Sequence, residues 1–421
     1  MANKNNRIFV YADWQELLEP ILVGSLMCNK LRGKEIFSFE YTSSWLQSDF
    51  GYNLDPDLQF FPGQQYVRDD KPNFGLFLDS SPDRWGRVLM RRREAIVARL
   101  ENRKAETLYE TDYLLGVYDE NRMGALRFKT AEDGPFLSHE KKLAAPAWTK
   151  LRDLEYASLQ LEKEGYGDDD EELKWLNMLM APGSSLGGAR PKASVTDLEG
   201  QLWIAKFPST NDLYDVGAWE MVVHQLALEA GLNVPPAQLM KFSGRHHTFL
   251  TKRFDRKSSE WRIHFASAMT LLGHKDGADY HAGTSYLDLV SFILQNGYQI
   301  NENLKELWRR IAFNVLVKNT DDHLRNHGFL LQKDGWILSP AYDMNAVPSG
   351  TGLTLNISDE DNSLDLDLVM EVAPYFRLSA TEALQIMLHL KKTVGSWKTV
   401  AAHYKISNRE LSLMAPAFHM Q

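Results

Sequence analysis

A single cysteine, Cys28, in a chain of 421 residues excludes any disulfide within the chain. Such sparing use of cysteine fits a reducing compartment, and the cytoplasm is the expected location. Long apolar runs are also missing: none approaches the ~18 residues that a membrane span requires, so no membrane partner is expected. The opening residues, Met1 to Arg7, lead only into Ile8-Phe9-Val10, a stretch too short for the core of a signal peptide. The 12 histidines form no His-Glu-x-x-His pattern, and with one cysteine a structural zinc site is not expected. There is no repeat with a period of about 20–50 residues and no low-complexity segment. Excess basic charge is lacking too. With 47 Lys plus Arg against 56 Asp plus Glu, the net charge is −9, which argues against a stand-alone nucleic-acid binder and leaves room only for a local basic patch.

What is present is ordinary globular usage, 44% hydrophobic and 24% charged, in a length that allows two or three domains with ample core. Strands are expected at Arg7 to Tyr11 and Lys34 to Tyr41, a long Arg-rich helix at Pro82 to Leu100, and a closing strand at Gly124 to Phe128. The turn-rich stretches Glu132-Asp-Gly-Pro135 and Ala144-Ala-Pro146 suit a boundary. The acidic run Asp168 to Glu172 reads as a solvated loop or a helix N-terminus. Beyond residue 180, short strands at Ala193 to Thr196 and Leu202 to Phe207 form a hairpin across Asp197-Leu-Glu-Gly200. A helix from Val216 to Ala230 stops at Gly231, and two further strands are expected at Ala237 to Phe242 and Thr248 to Phe254. Helices then dominate, at Tyr286 to Asn296, Leu304 to Lys318 and Thr381 to Lys391. Ser379 with Glu382 and Ser407 with Glu410 both carry the capping-box signature. A strand-rich piece followed by a helix-rich piece places the chain in the α+β class, as a two-lobed catalytic unit with a cleft between lobes.

Three local patterns carry chemistry. The first is Asn319-Thr-Asp-Asp-His-Leu-Arg-Asn326, which follows a helix and precedes a hairpin, Gly328 to Gln332 with Trp336 to Ser339; Pro340-Ala-Tyr-Asp343 comes directly after. An Asp, an Asn five residues on, and an Asp past a hairpin is the spacing used by protein kinases. There, Asp321 would accept the proton of an attacking hydroxyl, and Asn326 and Asp343 would offer hard oxygen ligands to Mg²⁺. Asp and Asn also abound in loops because they bond their own backbone, so the pair alone is ambiguous; Asp343 in this context favours the chemistry. The second pattern is Lys206 in the apolar strand Leu202-Trp-Ile-Ala-Lys-Phe207. It reads either as a phosphate-contacting lysine held by Glu220 of the next helix, or as an edge-strand lysine facing water. The third is Gly183-Ser-Ser-Leu-Gly-Gly-Ala-Arg-Pro-Lys192, either a simple turn or a phosphate-gripping loop; it lacks the Walker A spacing.

Other features take a plainer reading. Arg84, Arg87, Arg91, Arg92 and Arg93 form a solvated or salt-bridged helix face, with an acidic partner or DNA backbone as the alternative. His246-His247 follow Gly244 in an exposed turn, and Cys28, with no cation before Lys30, is not expected to be a nucleophile.

Taken in order, the motifs resemble the HipA family of bacterial serine/threonine kinases, the toxin halves of toxin–antitoxin pairs. The carrying residues are Phe77-Leu-Asp-Ser-Ser-Pro-Asp-Arg-Trp-Gly-Arg87, Met123-Gly-Ala-Leu126, Ser185 to Lys192, Gly231-Leu-Asn-Val-Pro235, Arg253-Phe-Asp-Arg256, Asn319 to Asn326 and Pro340 to Asp343. The resemblance spans nearly the whole chain. It implies a two-lobed protein-kinase-like fold with an N-terminal mixed α/β subdomain (residues 1–135), an N-lobe (150–255) and a helical C-terminal lobe (256–421). It implies ATP and Mg as cofactors, Asp321 as catalytic base, and Asn326 and Asp343 as metal ligands. By the same resemblance, Gly187, Gly188, Ala189, Arg190, Pro191 and Lys192 form the Gly-rich loop over ATP, and Lys206 contacts its phosphates. Lys252, Arg253 and Phe254 form the hinge near adenine, while His323 and Tyr342 complete the nucleotide site. Ser185 matches a position that some members autophosphorylate. The sequence departs from the family in having Lys252 where a Glu occurs in some relatives, and Arg190-Pro191 where Gln-Glu can occur. The implied partners are a HipB-like helix-turn-helix antitoxin, DNA only through it, and a protein substrate of the aminoacyl-tRNA synthetase class. A small-molecule phosphotransferase and a non-catalytic co-repressor are the alternatives.

Overall fold

The alternation of exposed and buried residues along Arg7–Ala12 marks a strand with one face in a core, and that strand sits inside a five-stranded antiparallel sheet. The computed structural model describes residues 7–68, 70–139, 144–163, 168–180, 190–242, 244–257 and 261–418. The chain divides into two compact units, Met1–Thr210 with Asp255–Ala266, and Asn211–Phe254 with Ser267–Gln421.

In the first unit the sheet runs in the order Gln65–Tyr66, Lys34–Tyr41, Ile21–Leu31, Arg7–Ala12, Leu126–Lys129. The strand Ile21–Leu31 is an addition to the sequence reading. Its apolar run has no period-two signature, because the successive residues Val23 to Leu26 are all buried, so both faces of the strand are covered there. Aromatic rings fill the core beneath: Phe77 lies 5.7 Å from Phe39 and 6.0 Å from Phe128, ring centre to ring centre. The Arg-rich helix is Arg84–Leu100, capped by Asp83, whose carboxylate accepts the Gly86 N–H at 2.9 Å. Arg87, Arg91, Arg92 and Arg93 are bonded within the unit. Arg87 pairs with both oxygens of Glu110 at 2.6 and 2.7 Å, Arg93 donates to Asn177, and Arg92 donates to the Leu161 carbonyl. The acidic run opens the helix Asp169–Leu179, with Asp168 as its cap and four carboxylates in its first turn, where they complement the helix dipole. Cys28 is buried, and burial pushes its thiol up to about 11, which keeps it from acting as a nucleophile.

Two of the motifs meet inside this unit. Gly124 has φ of +72°, a conformation that suits glycine, and a Cβ there would lie 3.0 Å from the Phe265 nitrogen. Its N–H donates to Asp255 Oδ2 at 2.8 Å, and Arg256 donates to the carbonyls of Gly124 and Arg122. Arg122 is fully buried and is held by the carbonyls of Ser80, Leu114, Val117 and Leu137. A guanidinium can exist there because its four terminal N–H donors meet carbonyl acceptors.

In the second unit the helix Val216–Glu229 ends before Gly231, whose φ of +77° makes the expected stop. Strands Ala237–Met240 and Thr248–Lys252 pair antiparallel. Helices Tyr286–Asn296, Ile300–Leu316 and Ala380–Gly395 follow, and Trp308 is fully buried with its indole N–H on the Val369 carbonyl. Ser379 and Glu382 form the expected reciprocal box. At Ser407 only half of it forms: Ser407 accepts the Glu410 N–H, but Glu410 Oε2 accepts from Asp215 N and Trp219 Nε1 instead. The exposed turn expected at His246-His247 is corrected. His246 is buried, and His247 Nδ1 lies 2.5 Å from Asp215 Oδ2, because the carboxylate that caps Val216–Glu229 also gathers this turn.

Candidate active site

The helix Ile300–Leu316 delivers the chain to Lys318, whose φ of +47° turns it sharply into Asn319 and the loop beyond. That loop ends in a single helical turn, Leu324–Asn326, and enters the strand Gly328–Gln332, which pairs with Gly335–Leu338. The expected helix–loop–hairpin context is therefore observed. Asn326 folds back so that its Nδ2 donates to the Asp321 carbonyl at 3.0 Å, which joins the two ends of the loop. Its other amide atom, Oδ1, is buried and accepts no hydrogen bond from the described residues. A buried bare acceptor costs free energy unless something supplies a positive partner.

Asp321 reaches the surface, yet its carboxyl is raised above the ordinary range: desolvation by the loop is the largest cause, His323 opposes it, and Asp343 and Asp322 add to it. Two carboxylates close to a third group of like charge are a normal prelude to cation binding or proton transfer.

Asp322 has the opposite setting. Its Oδ2 accepts from Tyr286 Oη at 2.6 Å, Asn314 Nδ2 at 2.8 Å and His327 Nε2 at 2.8 Å. Burial pushes this carboxyl up, but His327 and these hydrogen bonds outweigh burial and hold it below the ordinary value, so it is an ionised anchor. Sequence reasoning passed over Asp322, Tyr286, Asn314 and His327. One signal was available: Asn314 stands inside the apolar run Ile311-Ala-Phe-Asn-Val-Leu-Val317, and a buried amide needs a partner.

Asp343 has φ of +57°, a left-handed backbone that a non-glycine residue adopts at some cost. Neighbours impose it. Ala341 N donates to the Asn233 carbonyl at 2.7 Å, and Asn233 N donates to Glu306, so the Gly231-to-Pro235 motif seats the Pro340-to-Asp343 motif. Tyr342 Oη donates to the Arg325 carbonyl at 2.7 Å, and its ring lies 5.6 Å from that of Phe254. The second unit thus brings together Asp321, His323, Asn326, Tyr342, Asp343 and, through Tyr342, Phe254. Lys252 closes the strand Thr248–Lys252 and is half-buried, and Arg253 beside it is buried.

The remaining expected residues belong to the first unit. Gly187, Gly188, Ala189 and Ser185 lie outside the described residues. Arg190 donates to the Phe207 carbonyl at 3.4 Å, Pro191 accepts from Phe207 N, and Lys192 opens the strand Lys192–Thr196. Lys192 does not extend toward solvent: its ammonium lies 2.9 Å from Asp83 Oδ2, and both groups are buried. Lys206 is half-buried at the end of Leu202–Lys206, in register with Lys192. Glu220, its expected partner, is buried on a helix of the other unit.

Comparison with known proteins completes the picture. The HipA-like C-terminal domain family matches residues 184–397, just over half of the chain. A Haemophilus influenzae protein named "Putative kinase" is 29% identical over 150 residues, covering 33% of this chain and 44% of that protein. "Putative kinase Y4mE" of Sinorhizobium fredii is 25% identical over 181 residues, covering 38% of this chain and 41% of that protein. The chain thus spans less than half the length of these curated relatives. Among solved structures, HipA from the Shewanella oneidensis MR-1 complex of HipA, HipB and operator DNA covers 97% of this chain and 94% of its own, with TM-score 0.64 and 18% identity. At that identity the likeness shows the fold, which is the kinase-like fold of HipA. By its match over residues 184–397, the chain belongs to the HipA-like family.

Proposed function

We propose that the protein is a Mg²⁺-ATP-dependent protein serine/threonine kinase, the toxin of a HipA-like toxin–antitoxin pair. The observation that carries this reading is the loop that holds Asp321 with a raised carboxyl and, five residues on, Asn326 with a buried, bare Oδ1, followed by Asp343 past the hairpin. Asp321 takes the proton from the attacking serine hydroxyl, for which an exposed carboxylate at the end of a pinned loop is suited.

The residues fit a divalent cation. Asn326 Oδ1 and Asp343 are hard oxygen donors, and the bare buried acceptor gains the positive partner it otherwise lacks. When bound, the ion offsets phosphate charge. Phe254 and Tyr342 orient the base with their rings, Lys252 and Arg253 supply hinge groups, and His323 adds a donor. In the first unit Lys206 contacts phosphate. Since Lys192 is paired with Asp83, it contributes to the stretch Gly187 to Lys192 mainly by fixing its end. The division into 1–135, 150–255 and 256–421 goes with this reading.

The substrate is a serine of a translation protein of the aminoacyl-tRNA synthetase class, and Ser185 is the autophosphorylation site. The Shewanella oneidensis structure contains HipB and operator DNA. We assign this chain a HipB-like antitoxin as partner, with DNA reached only through it, as its net charge of −9 favours. No helix among the described residues is long and apolar enough to cross a membrane. We assign the enzyme to the cytoplasm on its sparing use of cysteine.

The test is mass spectrometry of a bacterial lysate treated with the purified protein and Mg²⁺-ATP. New phosphoserine on a lysate protein and at Ser185 is expected. Phosphate found only on a hydroxylated metabolite would replace this reading with a small-molecule phosphotransferase. No transfer at all would leave the co-repressor role.

A further inference from the structure

Asp343 is reached by an unbroken line of hydrogen bonds that starts at a different carboxylate. Asn314 Nδ2 donates to Asp322 Oδ2 at 2.8 Å, and Asn319 Nδ2 donates to Asn314 Oδ1 at 3.1 Å. Asn345 N donates to Asn319 Oδ1 at 3.2 Å, and Asn345 Nδ2 donates to Asp343 Oδ1 at 3.3 Å. All these residues belong to the second unit. Asp322, Asn314 and Asn319 are buried, at 4%, 2% and 1% exposure, so water does not compete for the first two links.

The order of donors and acceptors is not arbitrary. An amide can face either way, but an ionised carboxylate only accepts. Asp322 therefore forces the NH₂ of Asn314 toward itself and the oxygen of Asn314 toward Asn319. That oxygen in turn forces the NH₂ of Asn319 inward and leaves its oxygen for the Asn345 N–H. The backbone N–H can only donate, so the assignment is consistent at both ends. Asn345 is held at its backbone by this line, and its side-chain NH₂ faces Asp343 because a carboxylate only accepts.

We infer that Asp322, Asn314, Asn319 and Asn345 form a polarised relay that positions the Asp343 carboxylate for the divalent cation. They are positioning residues; none is placed to touch substrate. The relay gives the buried polar side chains of Asp322, Asn314 and Asn319 partners, and gives a residue with left-handed backbone a donor on its carboxylate. Groups that hold a metal ligand in place normally change metal affinity by ~10–100-fold when removed.

This inference rests on the reading of Asp343 as a metal ligand, and the test separates the two. Mn²⁺ binding is measured by electron paramagnetic resonance on the full chain with a non-hydrolysable ATP analogue, so that no turnover is needed. Asn319→Ala and Asn345→Ala are compared with the unaltered protein and with Asp343→Ala. Asn345→Ala keeps the backbone donor and removes only the last link, so it tests the relay even if Asn319→Ala fails to fold. The expected result is Mn²⁺ binding weakened ~10-fold or more in each relay variant that folds. Asn319→Gln should not restore it, because the longer amide cannot meet both partners. If Asp343→Ala weakens Mn²⁺ binding while Asn345→Ala stays within ~2-fold of the unaltered protein, the relay is wrong and the metal assignment stands. If Asp343→Ala itself has no effect, the functional reading fails, and the relay fails with it.

Discussion

Lys192 Nζ and Asp83 Oδ2 lie 2.9 Å apart, with both side chains 4% exposed. This pair joins the end of the Gly-rich stretch to the Pro82-to-Gly86 motif of the same unit, where Asp83 also caps the helix Arg84–Leu100. Lys192, expected in the Gly-rich loop over ATP, is thus held by a carboxylate of its own unit. Removing one partner of a buried pair leaves an uncompensated charge, which costs about 3–5 kcal/mol. Asp83→Asn should lower the unfolding free energy measured in urea by that order, and Lys192→Met added to Asp83→Asn should recover much of the loss.

The Tyr286–Asp322 hydrogen bond, 2.6 Å long and buried, should be worth about 1.5–3 kcal/mol as a bond to a charged group. Tyr286→Phe keeps the ring and deletes only that donor. Equilibrium denaturation should show a loss in this range, whereas a change under ~0.5 kcal/mol would mean that Asp322 is not ionised in the fold.

Asp55 predicts a pH signature. Burial pushes its carboxyl up to about 6; the N–H groups of Leu76 and Asp57 oppose burial, the Asp57 charge adds to it, and Lys71 offsets it. A raised acid holds its proton more tightly folded than unfolded. Its stabilising contribution is therefore complete below its unfolded pKa of about 4 and is lost as pH rises through about 6. Thermal melting of Asp55→Asn, compared with the unaltered protein between those limits, should lack that decline, which amounts to no more than about 3 kcal/mol.

Phe254→Ala should separate binding from chemistry. Its ring meets that of Tyr342, on the side proposed for adenine, so KM for ATP should rise ~10-fold while kcat changes little. An equal fall in kcat would place Phe254 in the chemical step instead.

Much of this was legible in sequence because the decisive signals are local. Asp321, Asn326 and Asp343 are linked by a loop and a tight hairpin, and the observed hairpin follows the expected one closely. The caps at Asp168 and Ser379 and the stop at Gly231 depend only on neighbours in the chain. What escaped depends on distant partners. Ile21–Leu31 has no amphipathic period because successive residues, Val23 to Leu26, are buried on both faces by parts of the chain remote in sequence. His247 is gathered in by Asp215, 32 residues before it, and Lys192 by Asp83, far earlier in the chain. The Asn314–Asn319 link needs a helix end and a turn to place two amides together, and no spacing rule announces it. The Gly-rich stretch from Gly187 to Ala189 lies outside the described residues, so its role stays with the resemblance alone.

The central claim is that Asp321 accepts the proton when a protein serine attacks ATP. Purified protein and Asp321→Asn are incubated with γ-labelled ATP, Mg²⁺ and lysate, and label in protein is measured under single-turnover conditions. Transfer by the unaltered protein with a fall of ~100-fold or more in Asp321→Asn is expected, since loss of a general base typically costs ~10²–10⁴-fold. Equal transfer by the two proteins, with Asp321→Asn folded, would contradict the assignment.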